Sequence, residues 1–117
     1  MEEPRFGFAI VYVEDLAAAK RFYTETLGLR VQREAPAFVQ FDHFALAGDE
    51  RQTPGDAPEL YWLVDDAEAA HRAISTKATI TRPLETLPFG KVFGVRDPTG
   101  ATRLFVELAT ARPSRAV

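Results

Sequence analysis

The sequence predicts an α+β protein in which a β-α-β-β-β unit occurs twice. The first observation is that the stretch VEDLAAAKRFY, beginning at Val13, is repeated as VDDAEAAHRAI, beginning at Val64. The second is that each stretch follows an apolar segment and precedes three segments typical of strands. A repeat of about 50 residues usually indicates units that cannot bury their hydrophobic face alone. The positions identical in the two stretches are Val13/Val64, Asp15/Asp66, Ala18/Ala69, Ala19/Ala70 and Arg21/Arg72.

The first unit begins with the apolar segment FGFAIVYV, which is typical of a strand covered on both faces. Asp15 is placed to cap the following helix, because its carboxylate can accept hydrogen bonds from the first amide groups of that helix. Gly28 ends the helix in the left-handed conformation that glycine adopts most easily. The segments LRVQREA and AFVQFDHFALAG predict three further strands, the last two of which form a hairpin around Asp42-His43.

The second unit follows the segment DERQTPGDAP, whose glycine, prolines and acidic residues indicate a linker. It repeats the same order: strand ELYWLV, a cap at Asp65 or Asp66, a helix through Ser75 and strand ATITRPL. A loop at LPFG then leads to strand KVFGVR, turn DPTG and strand RLFVEL. The predicted organisation is therefore a module at residues 5–48, a linker at 49–57, a second module at 58–109 and a frayed tail at 110–117.

The composition indicates a globular protein of 117 residues, with 46% hydrophobic and 26% charged residues. The net charge of −3 argues against a nucleic-acid partner, which favours a basic face. The absence of cysteine excludes disulfides and zinc-thiolate sites. No apolar run approaches the ~20 residues that span a membrane, and the N-terminal residues lack the pattern of a signal peptide. We expect a cytoplasmic protein without membrane association.

Two motifs resemble those of the vicinal oxygen chelate superfamily, also called the glyoxalase / bleomycin resistance / dioxygenase superfamily. They are VYVEDLAAAKRFYTETLGLRV in the first module and FGKVFGVRDPTG in the second. The resemblance covers nearly all of residues 5–109. It implies paired βαβββ modules that form a curled mixed sheet around one cleft. Because two chains associate in many small members, it also implies a homodimer.

The resemblance further implies where a metal-dependent member would hold its divalent ion. One ligand lies seven residues before the motif aspartate of each module, and another lies in the last strand of each module. The corresponding residues here are Phe8, Glu59, Leu104, and Ala45 or Leu46. Only Glu59 carries a ligand atom, so we expect no metal ion, no other cofactor and no catalytic residue. A metal would need an atypical set, such as Glu59, His43 and Glu107.

The strand pattern predicts an apolar pocket in place of the metal site. Because side chains alternate along a strand, Leu60, Trp62 and Val64 are expected to face the helix-packed core, and the residues between them to face the cleft. Glu59 either faces this cleft or begins its strand at a solvated rim. His71 is expected on an exposed helix face. The expected ligand-binding residues are Phe8, Ile10, Tyr12, Glu59, Tyr61, Leu63, Phe93 and Leu104.

Three functions are compatible with such a chain. An aromatic and aliphatic cleft with few polar groups favours binding of a small, aromatic or planar organic molecule without metal. The resemblance connects this function with antibiotic sequestration or with metabolite binding. The alternative is a metal-dependent lyase or oxidoreductase of the glyoxalase or dioxygenase type with an atypical ligand set. A third hypothesis is an interaction or regulatory module whose cleft is filled by its own side chains.

Overall fold

The computed structural model describes residues 2–109 of the chain, and the tail at residues 110–117, which we expected to be frayed, lies outside them. The chain divides into two compact units. One is Gly7–Leu60, here called the N-terminal unit. The other, the C-terminal unit, joins the residues up to Phe6 to the chain from Tyr61 onward. None of the helices in the described part of the chain is long and apolar enough to cross a membrane.

The order of elements along the chain is β-α-β-β-β twice, which confirms the predicted α+β class. The first set is β1 Arg5–Tyr12, α1 Leu16–Arg21, a π-helical turn Phe22–Thr26, β2 Arg33–Ala35, β3 Phe38–Gln40 and β4 Phe44–Ala47. The second set is β5 Glu59–Leu63, α2 Ala67–Ser75, β6 Ile80–Leu87, β7 Gly90–Arg96 and β8 Thr102–Leu108.

The N-terminal unit has its strands in the order β2-β3-β4-β1. β3 forms antiparallel pairs with β2 and β4, including the predicted hairpin, whereas β1 and β4 run parallel. The core on the helix side of this sheet is built around buried Val39, Phe41 and Leu46. Helix α1 packs on this core through Leu16 and Ala19. The Asp15 carboxylate accepts a hydrogen bond from the Ala18 amide at 2.9 Å, as its predicted role as a cap requires.

The end of this helix differs from the expected regular helix. After Arg21 the backbone widens into the π-helical turn, in which the Leu27 amide donates to the Phe22 carbonyl at 3.1 Å. The turn brings the Tyr23 ring to 4.9 Å from the Phe44 ring, so that one aromatic side chain packs on the sheet. Gly28 follows with φ = 76°, which confirms the predicted left-handed helix end.

The C-terminal unit has its strands in the order β5-β8-β7-β6, with β5 parallel to β8 and the remaining neighbours antiparallel. Helix α2 packs on one face of this sheet. Asp66 rather than Asp65 caps the helix, because its carboxylate accepts from the Ala69 amide at 3.0 Å. The buried residues of this packing are Val64, Ala67, Ala70, Phe93 and Val95.

The hairpin between β6 and β7 is tighter than the predicted LPFG loop. β6 continues to Leu87, so only two residues separate it from Gly90, the first residue of β7. Gly90 is required there, because a Cβ atom would lie 2.3 Å from the Glu107 carbonyl oxygen. Pro83 is tolerated inside β6 because β6 is an edge strand of the sheet, and because its pairing with β7 is irregular between Arg82 and Glu85.

The predicted DPTG turn joins β7 to β8 and is closed by Asp97. The Asp97 carboxylate accepts hydrogen bonds from the Thr99 hydroxyl, from the Thr99 amide at 2.8 Å and from Arg103 Nε at 2.8 Å. The bond from the Thr99 hydroxyl is the main cause that lowers the pKa of Asp97 below its ordinary value, and Arg103 adds to the effect. Gly100 completes the turn with φ = 91°.

Removal of the α2 cap should destabilise the protein more than removal of its neighbour. Asp66→Ala leaves the Ala69 amide without its acceptor and should lower the free energy of unfolding by about 1 kcal/mol. Asp65→Ala should cost less, because Asp65 is paired with Arg5 at the surface and not with the helix. Urea unfolding of the two variants measures the difference, and an equal loss would contradict the assignment of the cap.

Asp97 should make the stability depend on pH in the acidic range. Its pKa is lower in the folded protein than in the unfolded chain, so the ionised carboxylate stabilises the fold above a pH of about 4. This contribution is lost as the pH falls below that value, through the pKa of the folded state. Asp97→Asn should therefore be less stable than the parent at pH 7, and the difference should shrink towards pH 2. A difference in unfolding free energy that stays constant over this range would contradict the assignment.

Candidate functional site

The face of the C-terminal sheet that lies opposite α2 collects most of the predicted lining residues of this unit. Tyr61 lies opposite Leu104 in the parallel β5–β8 register, and Leu63 lies opposite Val106. Residues next to them on the same strands, such as Val64 after Leu63 and Phe105 after Leu104, pack towards α2. Alternation along the strands therefore assigns Tyr61, Leu63, Leu104 and Val106 to one face, as the sequence predicted.

Phe93, one of the expected ligand-binding residues, does not lie on this face. It is fully buried in the cluster that packs against α2, where its ring stacks on Phe105 at 5.2 Å. The His71 ring meets it edge-on at 5.3 Å, so His71 is half-buried rather than exposed as expected. The residue of β7 on the opposite face is Val92, which pairs with Val106. The segment VFGV at residues 92–95 has no polar residue, so its pattern does not show which side faces the helix.

A cavity of about 340 Å³, here called the β5–β8 pocket, lies at the carboxyl ends of these two parallel strands. Four apolar residues and three charged residues line it. The apolar ones are Leu63, Val64, Val106 and Leu108, and the charged ones are Arg5, Asp65 and Glu107. Of the predicted ligand-binding residues, Leu63 is thus a lining residue of this pocket.

The charged residues of the β5–β8 pocket have partners within the C-terminal unit. Arg5 donates to the Asp65 carboxylate at 3.2 Å. A hydrogen bond between Glu2 and Asp65 raises the pKa of Glu2 and is the main cause that lowers the pKa of Asp65, with Arg5 as a further cause. Glu107 accepts from the Ala67 amide at 2.9 Å, at the start of α2. The rim therefore offers one cation and several carboxylate oxygens around an apolar wall.

The N-terminal unit places the predicted residues of β1 on one face as well. Val11 packs towards α1, so Phe8, Ile10 and Tyr12 lie on the opposite side of the strand. Phe8 and Ile10 are 3% and 5% exposed, and the Phe8 ring meets Phe38 edge-on at 6.2 Å. Tyr12 is half-buried. These side chains pack within the protein and form an apolar face.

Glu59 is buried with 3% of its surface exposed, so the interpretation as a solvated residue at the rim is wrong. The Tyr12 hydroxyl donates to Oε1 at 2.7 Å. Oε2 accepts from the Gln52 amide at 2.7 Å, the Thr53 amide at 2.6 Å and the Thr53 hydroxyl at 2.8 Å. Sequence reasoning missed Gln52 and Thr53, because the pattern of a linker does not show which of its amides turn towards a carboxylate.

The donor atoms do not fit the divalent ion that metal-dependent members of the superfamily would hold. Phe8, Leu104 and both Ala45 and Leu46 are buried hydrocarbon side chains. Each member of the atypical set has a local partner: Glu59 has the bonds above, His43 Nδ1 lies 2.8 Å from the Gly7 carbonyl and Glu107 accepts from α2. Within residues 2–109, no group of three or more His, Cys, Asp or Glu residues is placed to hold a metal ion.

Comparison with known families agrees with this fold. A sequence model of the Glyoxalase/Bleomycin resistance protein/Dioxygenase superfamily matches residues 5–103. The chain belongs to this superfamily. No curated protein sequence matches the chain significantly.

Solved structures of this superfamily's fold are similar to the chain over most of its length. A structure described as NAD-dependent benzaldehyde dehydrogenase from Legionella pneumophila is 25% identical with a TM-score of 0.71, covering 87% of this chain and 98% of that one. A superfamily member from Vibrio splendidus 12B01 is 23% identical with a TM-score of 0.65, covering 90% and 99%. An extradiol ring-cleaving dioxygenase from Brevibacterium fuscum is 23% identical with a TM-score of 0.58, covering 91% of this chain and 33% of that one.

The position of Phe93 can be tested through stability. Phe93→Ala removes a fully buried ring from the α2 core and should lower the free energy of unfolding by about 3–5 kcal/mol. Phe89→Ala is the matched control, because Phe89 is 39% exposed and should cost much less. Chemical unfolding of both variants measures the loss. Similar losses in the two variants would show that Phe93 is not a core residue.

Proposed function

We propose that this superfamily member binds a small, planar or aromatic organic molecule without a metal ion. The observation that carries the proposal is the β5–β8 pocket, whose volume of about 340 Å³ is at the lower end of the range of small-molecule sites. A pocket of this size suits a compact ligand and not a folded partner. Antibiotic sequestration and metabolite handling are both uses of such a site.

The composition of the pocket supports an amphipathic ligand. Leu63 and Leu108, both half-buried, supply apolar contact area, and the free energy of binding becomes more favourable as apolar surface of the ligand leaves water. Arg5 and Asp65 at the rim are exposed by more than half of their side chains and can exchange their mutual contact for contacts with polar groups of a ligand. The ligand's ring system would therefore lie on the wall, with its polar substituents at the mouth.

Most of the other predicted ligand-binding residues are too deeply buried for a ligand to contact them directly. Phe8, Ile10, Tyr61 and Leu104 are at most 5% exposed, so a ligand would reach them only after a movement of the protein. Leu63 is half-buried and already lines the pocket. We therefore centre the proposed site on Leu63. The homodimer, the cytoplasmic location and the absence of a nucleic-acid partner remain predictions.

The side chains of this protein do not support the chemistry named for the similar structures. The Legionella pneumophila protein is described as NAD-dependent, whereas the seven glycines here, at positions 7, 28, 48, 55, 90, 94 and 100, contain no G-x-G spacing of a dinucleotide-binding loop. A metal-dependent lyase or oxidoreductase would need ligands that residues 2–109 do not bring together. Binding without chemistry is the function that these side chains support best.

A thermal-shift screen against planar and cationic antibiotics and aromatic metabolites tests the proposal. At least one compound should raise Tm, and Leu63→Ala should weaken its binding by about tenfold, because the ligand loses apolar contact at the wall. The matched control is Leu60→Ala, on the same strand but on its other side, which should leave the affinity unchanged. Stabilisation by divalent ions alone, or full affinity in a folded Leu63→Ala variant, would overturn the proposal.

A further inference from the structure

The loop of residues 51–58, here called the Glu59 loop, is tied to the sheet of the N-terminal unit by one buried carboxylate. Glu59 begins β5, and its side chain is almost completely removed from water. A buried carboxylate is stable only when donors replace the water it has lost. In this unit the replacement comes from the loop that immediately precedes Glu59 in the sequence.

The two carboxylate oxygens connect different parts of the unit. Oε2 accepts from two successive backbone amides, Gln52 and Thr53, and from the Thr53 hydroxyl. Oε1 accepts from the hydroxyl of Tyr12, which lies on β1. The carboxylate thus holds the loop and β1 together, at distances of 2.6–2.8 Å that are typical of charge-assisted hydrogen bonds.

Arg51 closes the same loop from its other end. Its guanidinium donates to the Ala57 carbonyl at 2.6 Å and to the Thr53 carbonyl at 3.1 Å. It also lies 5.3 Å from the centre of the Tyr12 ring, within the range of a cation–π contact. The loop is therefore closed by hydrogen bonds that need no metal ion.

We propose that the Glu59 loop has taken the place of a divalent ion as the partner of this carboxylate, so that loop and ion exclude each other. The resemblance places Glu59 at a position where metal-dependent members of the superfamily offer a ligand. A divalent cation binds to carboxylate lone pairs and cannot share an oxygen that three protein donors already face. Coordination through Oε2 would therefore require release of Gln52 and Thr53, and coordination through Oε1 would compete with the Tyr12 hydroxyl that joins the carboxylate to β1. This inference depends on the contacts of Glu59 and not on the ligand proposed for the β5–β8 pocket.

Hydrogen exchange of the loop amides tests the anchor. Glu59→Gln replaces one acceptor oxygen by a donor, so exchange at Gln52 and Thr53 should accelerate at least about tenfold and Tm should fall by roughly 10 °C. Glu107→Gln is the matched control, because Glu107 accepts from the Ala67 amide and makes no contact needed by the loop. It should leave exchange at Gln52 and Thr53 unchanged.

Tyr12→Phe provides a second variant in case Glu59→Gln does not fold. It removes the phenolic donor to Oε1 and preserves the ring that contacts Arg51. Exchange in the Glu59 loop should accelerate about two- to fivefold, since the amide donors to Oε2 remain. Unchanged protection of Gln52 and Thr53 in this variant and in folded Glu59→Gln protein would overturn the anchor.

Titration of the parent protein with Zn²⁺, Mn²⁺ and Ni²⁺ tests the exclusion. Calorimetry should detect no stoichiometric binding, and the amides of Gln52 and Thr53 should keep their protection at saturating metal. Stoichiometric binding that depends on Glu59 and leaves both amides protected would overturn the inference. Stoichiometric binding together with faster exchange would support the exclusion but count against the metal-free function, so the two proposals fail separately.

Discussion

The alternation of side chains along the strands is the constraint on which the rest of this structure depends. In each unit, the side chains on one face of every central strand pack against a helix. The side chains on the other face are free of this packing role. On β8, Phe105 packs against α2, and Glu107 accepts a hydrogen bond from the first amide of that helix. Leu104 and Val106 are consequently directed to the opposite face, where Val106 lines the β5–β8 pocket. A shift of one residue in register would exchange these two sets.

The buried carboxylate of Glu59 depends on hydrogen-bond donors that the protein itself supplies. The fold hosts many chemistries, and activity depends on the side chains that it places at particular positions. In this chain the position faces donors of the protein itself, from Tyr12, Gln52 and Thr53. A buried charge is costly unless it is fully hydrogen-bonded, so the loop and the carboxylate stabilise each other.

The two units differ in what their sheets offer to a ligand. In the N-terminal unit, Phe8 and Ile10 form a buried apolar face, next to the hydrogen-bonded pair of Tyr12 and Glu59. In the C-terminal unit the carboxyl ends of β5 and β8 leave a cavity with a charged rim. Parallel strands end side by side, so the last residues of β5 and β8 lie together at one edge, where the pocket forms.

Features that depend on neighbouring residues could be predicted from the sequence alone. The caps Asp15 and Asp66, the end of α1 at Gly28 and the turn at Asp97 all follow from local backbone geometry, so their patterns identified the order of elements and the superfamily. Packing against α2 sets the side of β7 on which Phe93 lies, because a strand that is apolar at successive positions has no alternation that would show which side is buried. The tertiary fold is needed for a second feature as well. It also decided the partners of Glu59, because the amides of Gln52 and Thr53 reach the carboxylate only when the loop folds back on β5. Hydrogen bonds of this kind depend on the path of the chain and leave no period in the sequence.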